Sequence, residues 1–476
     1  MFKKQFLFTD KPVQLIDNFI EVSIGKYHLQ YNEILNYTIV TNITTEIHLL
    51  GDVFSYKSPE LSNHSILKHL LLTENIDEFL INLSEHYGQY VIIYKNATHF
   101  ILLNDACAQS EIYYTTDYTA FGSQVKILER CIEVIPHSDI NAKAYYKSNE
   151  FNKLRLFINN TTHVKNVKHL YANHYIDINN KVIERFYPKQ TNHKIAIDDA
   201  VVKVTTMLKG YLKAISLRYK ICLPVTAGYD SRVLFLASLG LECNYFVTRF
   251  KEMDENHNDL VISKKLVELY NKDFKIIEDN VLEKENFDPS YEKSLDFPLF
   301  LSPDVVEDRV IINGNISEIG RNGFYYIKWI TSKNLNIANF FNIHPFITKE
   351  YSEWLKLNKK YFKSLKYHIL DIFLWEQFMG IVHGKAKSQN KELGVTVMSP
   401  YNSRLLLDIM LGVDRNKRDR LDNELFNKII AHLCDNNEAV IKLPINPSAS
   451  KNKYLRIKKF KLHKLYSTLK IKLKSL

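Results

Sequence analysis

Two apolar blocks, Gln89-Tyr90-Val91-Ile92-Ile93-Tyr94 and His99-Phe100-Ile101-Leu102-Leu103, flank the polar stretch Lys95-Asn96-Ala97-Thr98. Short runs rich in β-branched and aromatic residues, bounded by turn formers, predict strands, and two this close predict a hairpin. Runs of this kind recur through residues 1–190, so a sheet-rich domain is expected there. Beyond Pro188 the period changes. Val201, Val204, Leu208, Tyr211, Leu212 and Ile215 recur at three- and four-residue spacing behind Asp198-Asp199, which predicts a helix with acidic residues at its positive end. From there strand-like runs (Ile221 to Val225, Asn244 to Thr248, Phe274 to Ile277) alternate with helical patterns (Arg232 to Leu239, Leu260 to Tyr270). Such alternation predicts parallel βαβ units in a second domain over 191–450, with ligands bound beyond the carboxyl ends of the strands.

A chain of 476 residues is longer than one hydrophobic core usually serves, in line with two domains. Its 46% apolar and 24% charged residues predict a folded protein. The net charge of +10 would suggest a nucleic-acid partner if it were spread over the body. However, the last 26 residues, Lys451 to Leu476, hold ten Lys or Arg and no acid, leaving 53 basic against 53 acidic residues elsewhere. No nucleic-acid partner is therefore expected. In that tail, Leu462, Leu465, Leu469, Leu473 and Leu476 fall on one helical face, a pattern that predicts peripheral contact with anionic lipid over 451–476. The five cysteines are widely spaced and form no CxxC pair, and the 17 histidines show no HExxH spacing, so neither supplies a metal motif. Free thiols, no secretory apolar run and no membrane-length segment lead us to expect a cytoplasmic protein.

The candidate chemistry centres on Leu223-Pro224-Val225-Thr226-Ala227-Gly228-Tyr229-Asp230-Ser231-Arg232, which puts small residues and a hydroxyl between a strand and a helix. Backbone amides at such a turn, at the positive end of the helix dipole, suit an anion such as pyrophosphate. A carboxylate beside phosphate oxygens needs a cation between them, so Asp230 is expected to carry Mg²⁺.

This segment resembles the SGGxDS pyrophosphate loop of asparagine synthetases and their relatives, the β-lactam synthetases and lasso peptide cyclases. Thr226 stands for the first Ser and Ala227 for the first Gly. Val310-Ile311-Ile312-Asn313-Gly314-Asn315-Ile316-Ser317-Glu318-Ile319-Gly320-Arg321-Asn322-Gly323-Phe324-Tyr325 is similar to the family's second motif, a strand followed by SGEGADELFGGY. There Gly314 and Gly323 fall on family glycines and Glu318 on the second metal-binding carboxylate, while Asn315 replaces the first Glu. Trp375-Glu376-Gln377 and Val397-Met398-Ser399-Pro400-Tyr401-Asn402-Ser403-Arg404 resemble the ExRxPFLD region that closes the synthetase site. Basic residues within Asp414 to Arg418 are open candidates for the family's catalytic Lys and Arg. In the first half, Gly88-Gln89-Tyr90, Asn104 to Tyr114 and Phe121-Gly122-Ser123-Gln124 look like the GxF, DxxGxRPLYY and FASE stretches of a class II glutamine amidotransferase domain.

The resemblance implies an α/β protein: an N-terminal Ntn-hydrolase-like α+β sandwich followed by a parallel-sheet ATP-pyrophosphatase domain of the adenine nucleotide α-hydrolase type. It implies an ATP-dependent ligase in which a carboxylate attacks the α-phosphate of ATP and an amine then displaces AMP. Thr226, Ala227, Gly228, Tyr229, Ser231 and Gly314 would bind pyrophosphate. Asp230 and Glu318 would hold Mg²⁺, Val247 and Thr248 would meet adenine, and Arg321 or Tyr325 would assist the second step. Aspartate with ammonia is the family's default pair, and a sugar carboxylate of surface-polysaccharide assembly competes with it. The glutaminase is expected to be dead: residue 2 is Phe2 and the nearest cysteine, Cys107, is interior, so no N-terminal thiol is available and nitrogen must come from ammonia or a substrate amine. The alternative is a non-catalytic nucleotide-binding scaffold, suggested by the departures at Phe2, Ala227 and Asn315.

Overall fold

The computed structural model describes residues 2–154, 156–278, 308–324, 327, 329–338, 343–385, 391, 395–420 and 422–447. Tyr325 and the basic tail lie outside them. Twelve strands precede residue 190: β1 (Phe6–Thr9), β2 (Phe19–Ile24), β3 (Tyr27–Asn32), β4 (Tyr37–Thr41), β5 (Glu46–Phe54), β6 (Tyr87–Lys95), β7 (Phe100–Asn104), β8 (Tyr113–Thr115), β9 (Ala120–Gly122), β10 (Val167–His169), β11 (His174–Asp177) and β12 (Val182–Arg185). They form two six-stranded sheets, ordered β10-β8-β9-β1-β3-β2 and β12-β11-β7-β6-β5-β4, with antiparallel pairing throughout. The hairpin expected around residues 89–103 is β6 and β7, with Val91 opposite Asn104 and Lys95 opposite Phe100.

The sheets pack face to face through Phe6, Phe8 and Leu29 of one and Leu50, Val91, Ile93 and Leu102 of the other. The outer face of the second sheet is covered by helices Asn63–Leu70 and Ile76–Ser84, through Ile66, Leu67, Phe79 and Leu83 against Leu49, Ile92 and Leu103. Burial on both faces explains why β6 reads as a continuous apolar run without polar alternation.

The second half is built on a parallel sheet of β13 (Lys220–Pro224), β14 (Cys243–Arg249), β15 (Phe274–Glu278), β16 (Arg309–Ile312) and β17 (Val397–Met398), in the order β15-β14-β13-β16-β17. The chain steps outward from β13 to β15 on one side and returns to build β16 and β17 on the other. The strand order therefore reverses between β13 and β16, and the crevice beyond their carboxyl ends is where such sheets bind ligands. The amphipathic helix Ile197–Ser216 buries Val201, Val204, Leu208, Tyr211 and Ile215, the periodic residues of the sequence, and helix Glu424–Leu433 packs on it.

The two halves meet over a polar, buried seam. Arg404, 1% exposed, donates to the carbonyls of Asn104 (2.9 Å) and Asp105 (3.0 Å) and to Asn173 Oδ1 (3.1 Å). Gln89 Nε2 donates to the Val397 carbonyl (2.7 Å), and Asn402 Nδ2 to Asp105 Oδ1 (2.9 Å). Among the described residues no helix is long and apolar enough to cross a membrane.

Candidate functional site

The turn after β13 is tied by its own hydroxyls. Ser231 Oγ accepts from the Thr226 amide (3.0 Å) and lies 2.8 Å from Thr226 Oγ1, which in turn accepts from the Gly228 amide (3.3 Å). Helix Tyr229–Ala237 starts behind Gly228, whose extended backbone supplies no side-chain cap. The Ala227 amide is held by Asp259 Oδ1 (2.8 Å), from the first turn of helix Asn258–Glu268. Arg232, fully buried, turns away from the crevice and binds the carbonyls of Leu443 (2.9 Å) and Pro444 (2.8 Å), and the Asn446 amide meets the Ala227 carbonyl (3.0 Å). Residues 443–446 thus strap the turn in place.

Beyond β16 the chain passes Gly314 and forms a single 3₁₀ turn, Ser317–Arg321, bracketed by two positive-φ residues, Ile316 (80°) and Asn322 (43°). A β-branched residue at positive φ is a strained backbone, of the kind that gathers at functional sites. Glu318 therefore sits on a turn and not at a strand end. Ser317 Oγ donates to Asp230 Oδ1 (2.5 Å). Arg321 Nη2 lies 3.0 Å from Asp230 Oδ2 and 3.1 Å from Glu318 Oε1, so the two carboxylate oxygens are at most about 6 Å apart.

Burial raises the Glu318 carboxyl above its ordinary range; the Arg321 guanidinium opposes this and the Asp230 charge adds to it. Although 35% of the Glu318 side chain is exposed at the crevice mouth, Oε2 is buried with no hydrogen-bond partner among the described residues. The Tyr401 hydroxyl is likewise buried and unsatisfied, and burial, with the Asp230 charge, pushes it well above the usual phenol range. Among the described residues no group of three His, Cys, Asp or Glu gathers, so here the described residues offer a cation two carboxylates, Asp230 and Glu318. That donor set, with one buried orphan oxygen, fits an ion such as Mg²⁺, which takes one or two protein carboxylates and completes its sphere with other oxygen ligands. In this structure Arg321 supplies the positive charge between the two.

Thr226, Ala227, Gly228, Tyr229, Asp230, Ser231, Gly314, Glu318 and Arg321 come together at the strand-order reversal. Val247, buried, and Thr248, half-buried, belong to the neighbouring β14. The other expected contributors lie elsewhere. Glu376 forms a two-pronged ion pair with Arg185, and Arg404 belongs to the seam between the halves. Arg415 and Arg418 both engage Asp371, and Lys417 pairs with Glu424. Arg418 also lies 3.5 Å from the Ile319 carbonyl, which supports the turn carrying Glu318 from behind. The charge of Arg420, just past the stretch singled out in the sequence, also acts on Glu318. Ser317 and Asp259 were also missed: each acts through a hydrogen bond to a residue distant in the chain, and no local spacing marks it.

No family model and no curated protein matches the chain. Among solved structures it is similar to an allosteric regulatory enzyme of purine biosynthesis, at 9% identity over 59% of this chain and 69% of that one, with a TM-score of 0.25. It is similar to the NMN synthetase of Francisella tularensis at 13% identity, over 54% of this chain and 100% of that one, with a TM-score of 0.20. A third likeness is to glutamine phosphoribosylpyrophosphate amidotransferase from B. subtilis complexed with ADP and GMP, at 9% identity over 67% and 71%, with a TM-score of 0.23.

Proposed function

We propose that this chain is an ATP-dependent, amide-forming ligase of the asparagine synthetase type, which joins a carboxylate to ammonia or a substrate amine and releases AMP and pyrophosphate. The observation that carries the reading is the convergence of Asp230 and Glu318 on one cationic atom, where the strand order of the parallel sheet reverses. The turn Thr226–Ser231 would cradle the β- and γ-phosphates once the Thr226 and Ser231 hydroxyls and Asp259, which now hold its amides, release them. Asp230 and Glu318 would hold Mg²⁺, which neutralises phosphate charge as it develops. Arg321, already between them, would rebalance that charge as pyrophosphate leaves. Chemistry of this kind rests on positioning and on preorganised charge, not on a protein nucleophile. On this reading the first half is an Ntn-type amidotransferase domain kept as scaffold, and the carboxylate is aspartate or a sugar acid.

The test is carboxylate-dependent exchange of pyrophosphate into ATP, with free aspartate and uronic acids as trial substrates. Asp230→Asn and Glu318→Gln should each lower the rate roughly a hundredfold or more in protein that still folds and unfolds cooperatively. A second reading, a nucleotide-binding scaffold without catalysis, is favoured by Arg321 neutralising both carboxylates and by Asp259 occupying the Ala227 amide. Saturable, Mg²⁺-dependent ATP binding without exchange on any trial carboxylate would favour that reading.

A further inference from the structure

We infer that the cavity between the two halves, walled by Lys4, Asp52, Gln89, Tyr219, Lys391 and Thr396, is a binding site for a small molecule carrying a carboxylate or phosphate group. The cavity encloses about 200 Å³ and shares no lining residue with the nucleotide crevice. That is several times the ~30 Å³ share of a liquid water, room for a small anion and part of its hydration.

Two lysines from opposite halves line this space, and neither ammonium has an ion-pair partner among the described residues. Lys391 Nζ donates to Ser110 Oγ (3.1 Å) and to the Gln109 carbonyl (3.2 Å), and Lys4 Nζ donates to Thr396 Oγ1. All three acceptors are neutral. The lining carboxylate, Asp52, is already engaged by neutral donors: Asn36 Nδ2 (3.0 Å) and Asn63 Nδ2 (3.0 Å) on Oδ1, and the Tyr219 hydroxyl (2.9 Å) on Oδ2. Burial pulls Lys391 down to about 8, Asp105 and Glu111 resist, and the charge of Lys4 adds to the fall. Burial lowers Lys4 too, with Asp52 resisting.

Withdrawing two like charges from water toward neutral acceptors is costly, and a fold that needed these lysines only as struts would pair them or replace them with apolar groups. An anionic oxygen group between the two ammoniums would offset that cost through charge-assisted hydrogen bonds. Gln89, whose Nε2 holds the Val397 carbonyl, and Tyr219, whose hydroxyl holds Asp52, complete a polar wall around the two ammoniums.

The experiment is calorimetric titration of the full chain with inorganic phosphate and, separately, with succinate, at fixed ionic strength. At least one should bind saturably, and which one does identifies the anion class. Lys4→Gln and Lys391→Gln should each weaken that binding about tenfold or more, the value of one charged hydrogen bond, while Lys4→Arg and Lys391→Arg retain it. In the unaltered chain, which needs no variant to fold, the bound anion should slow acetylation of Lys4 and Lys391 relative to the exposed Lys264, followed by mass spectrometry. No saturable binding by either anion, the same affinity in both Gln variants, or unprotected lysines would overturn the assignment.

Discussion

A Cβ on Gly314 would stand 2.3 Å from the Cβ of Asp230 and 3.1 Å from its carbonyl carbon. The strand-to-turn segment after β16 thus lies directly on the first turn of helix Tyr229–Ala237, and only a residue without a side chain permits the contact. Backbone cannot retreat as a flexible side chain would, so Gly314→Ala must push the two loops apart. The expected cost is about 1–3 kcal/mol of stability. Because Asp230 moves with the loop, ATP binding should fall as well. Urea unfolding and an ATP titration on the same preparation check both effects, and a variant unchanged in both would show that the loops are not held as described.

The parallel sheet was legible because its strands are short apolar runs between helical patterns, and β13, β14 and β15 fall where Ile221, Asn244 and Phe274 begin those runs. The start of the following helix was less so. It begins at Tyr229, three residues before the expected Arg232, since Gly228 gives no capping side chain to mark it. Partners were illegible wherever they depend on tertiary contact. Glu376 sits in a segment that resembles a synthetase motif, yet its partner is Arg185, 191 positions away. Ser317 meets Asp230 across 87 positions. Motif spacing could place Asp230 and Glu318 in one crevice but could not reveal that Arg321 stands between them.

The first half should not hydrolyse glutamine. Phe2 is 3% exposed with φ of 61° and is packed into the core. Cys107 is fully buried, and burial pushes its thiol well above the ordinary range, so it supplies no thiolate. Glutamate release from glutamine should match the buffer blank. Robust release that survives Cys107→Ala would show that a different nucleophile operates there.

Arg404 should be worth more than its distance from the crevice suggests. Its guanidinium binds two main-chain carbonyls and Asn173 Oδ1, and stacks over the Phe186 ring at 4.7 Å. Arg404→Met keeps much of the volume but leaves those buried acceptors without a donor, at about 1–3 kcal/mol for each unsatisfied group. The expected result is a lower urea midpoint, with the two halves unfolding less cooperatively. Separate transitions followed by a probe in each half would establish it, and a midpoint equal to that of the parent would rule out a structural role for the seam.

Arg321→Gln removes the cation that Asp230 and Glu318 share and leaves two carboxylates at most about 6 Å apart facing each other. Glu318 is already raised in the folded state, first by burial and further by the Asp230 charge, with Arg321 as the main opposing influence. A carboxyl raised on folding binds its proton more tightly in the native chain than in the unfolded one. Stability is therefore lost as pH climbs from the unfolded value through the folded one. Without Arg321 the folded value moves further up, so that window widens toward neutrality. The variant should consequently be close to the parent near pH 4 and fall behind it with rising pH, reaching a deficit of about 2 kcal/mol at pH 8, discounted for the exposed part of Glu318. Millimolar Mg²⁺ should recover part of the deficit if both carboxylates can hold the ion. Arg321→Gln combined with Glu318→Gln should be more stable at pH 8 than Arg321→Gln alone, because one of the opposed charges is gone. Urea unfolding of the parent and the two variants at pH 5 and 8, with and without Mg²⁺, measures each arm. A deficit independent of pH, or one that the second substitution deepens, would mean that Arg321 holds the loop by packing and not by its charge.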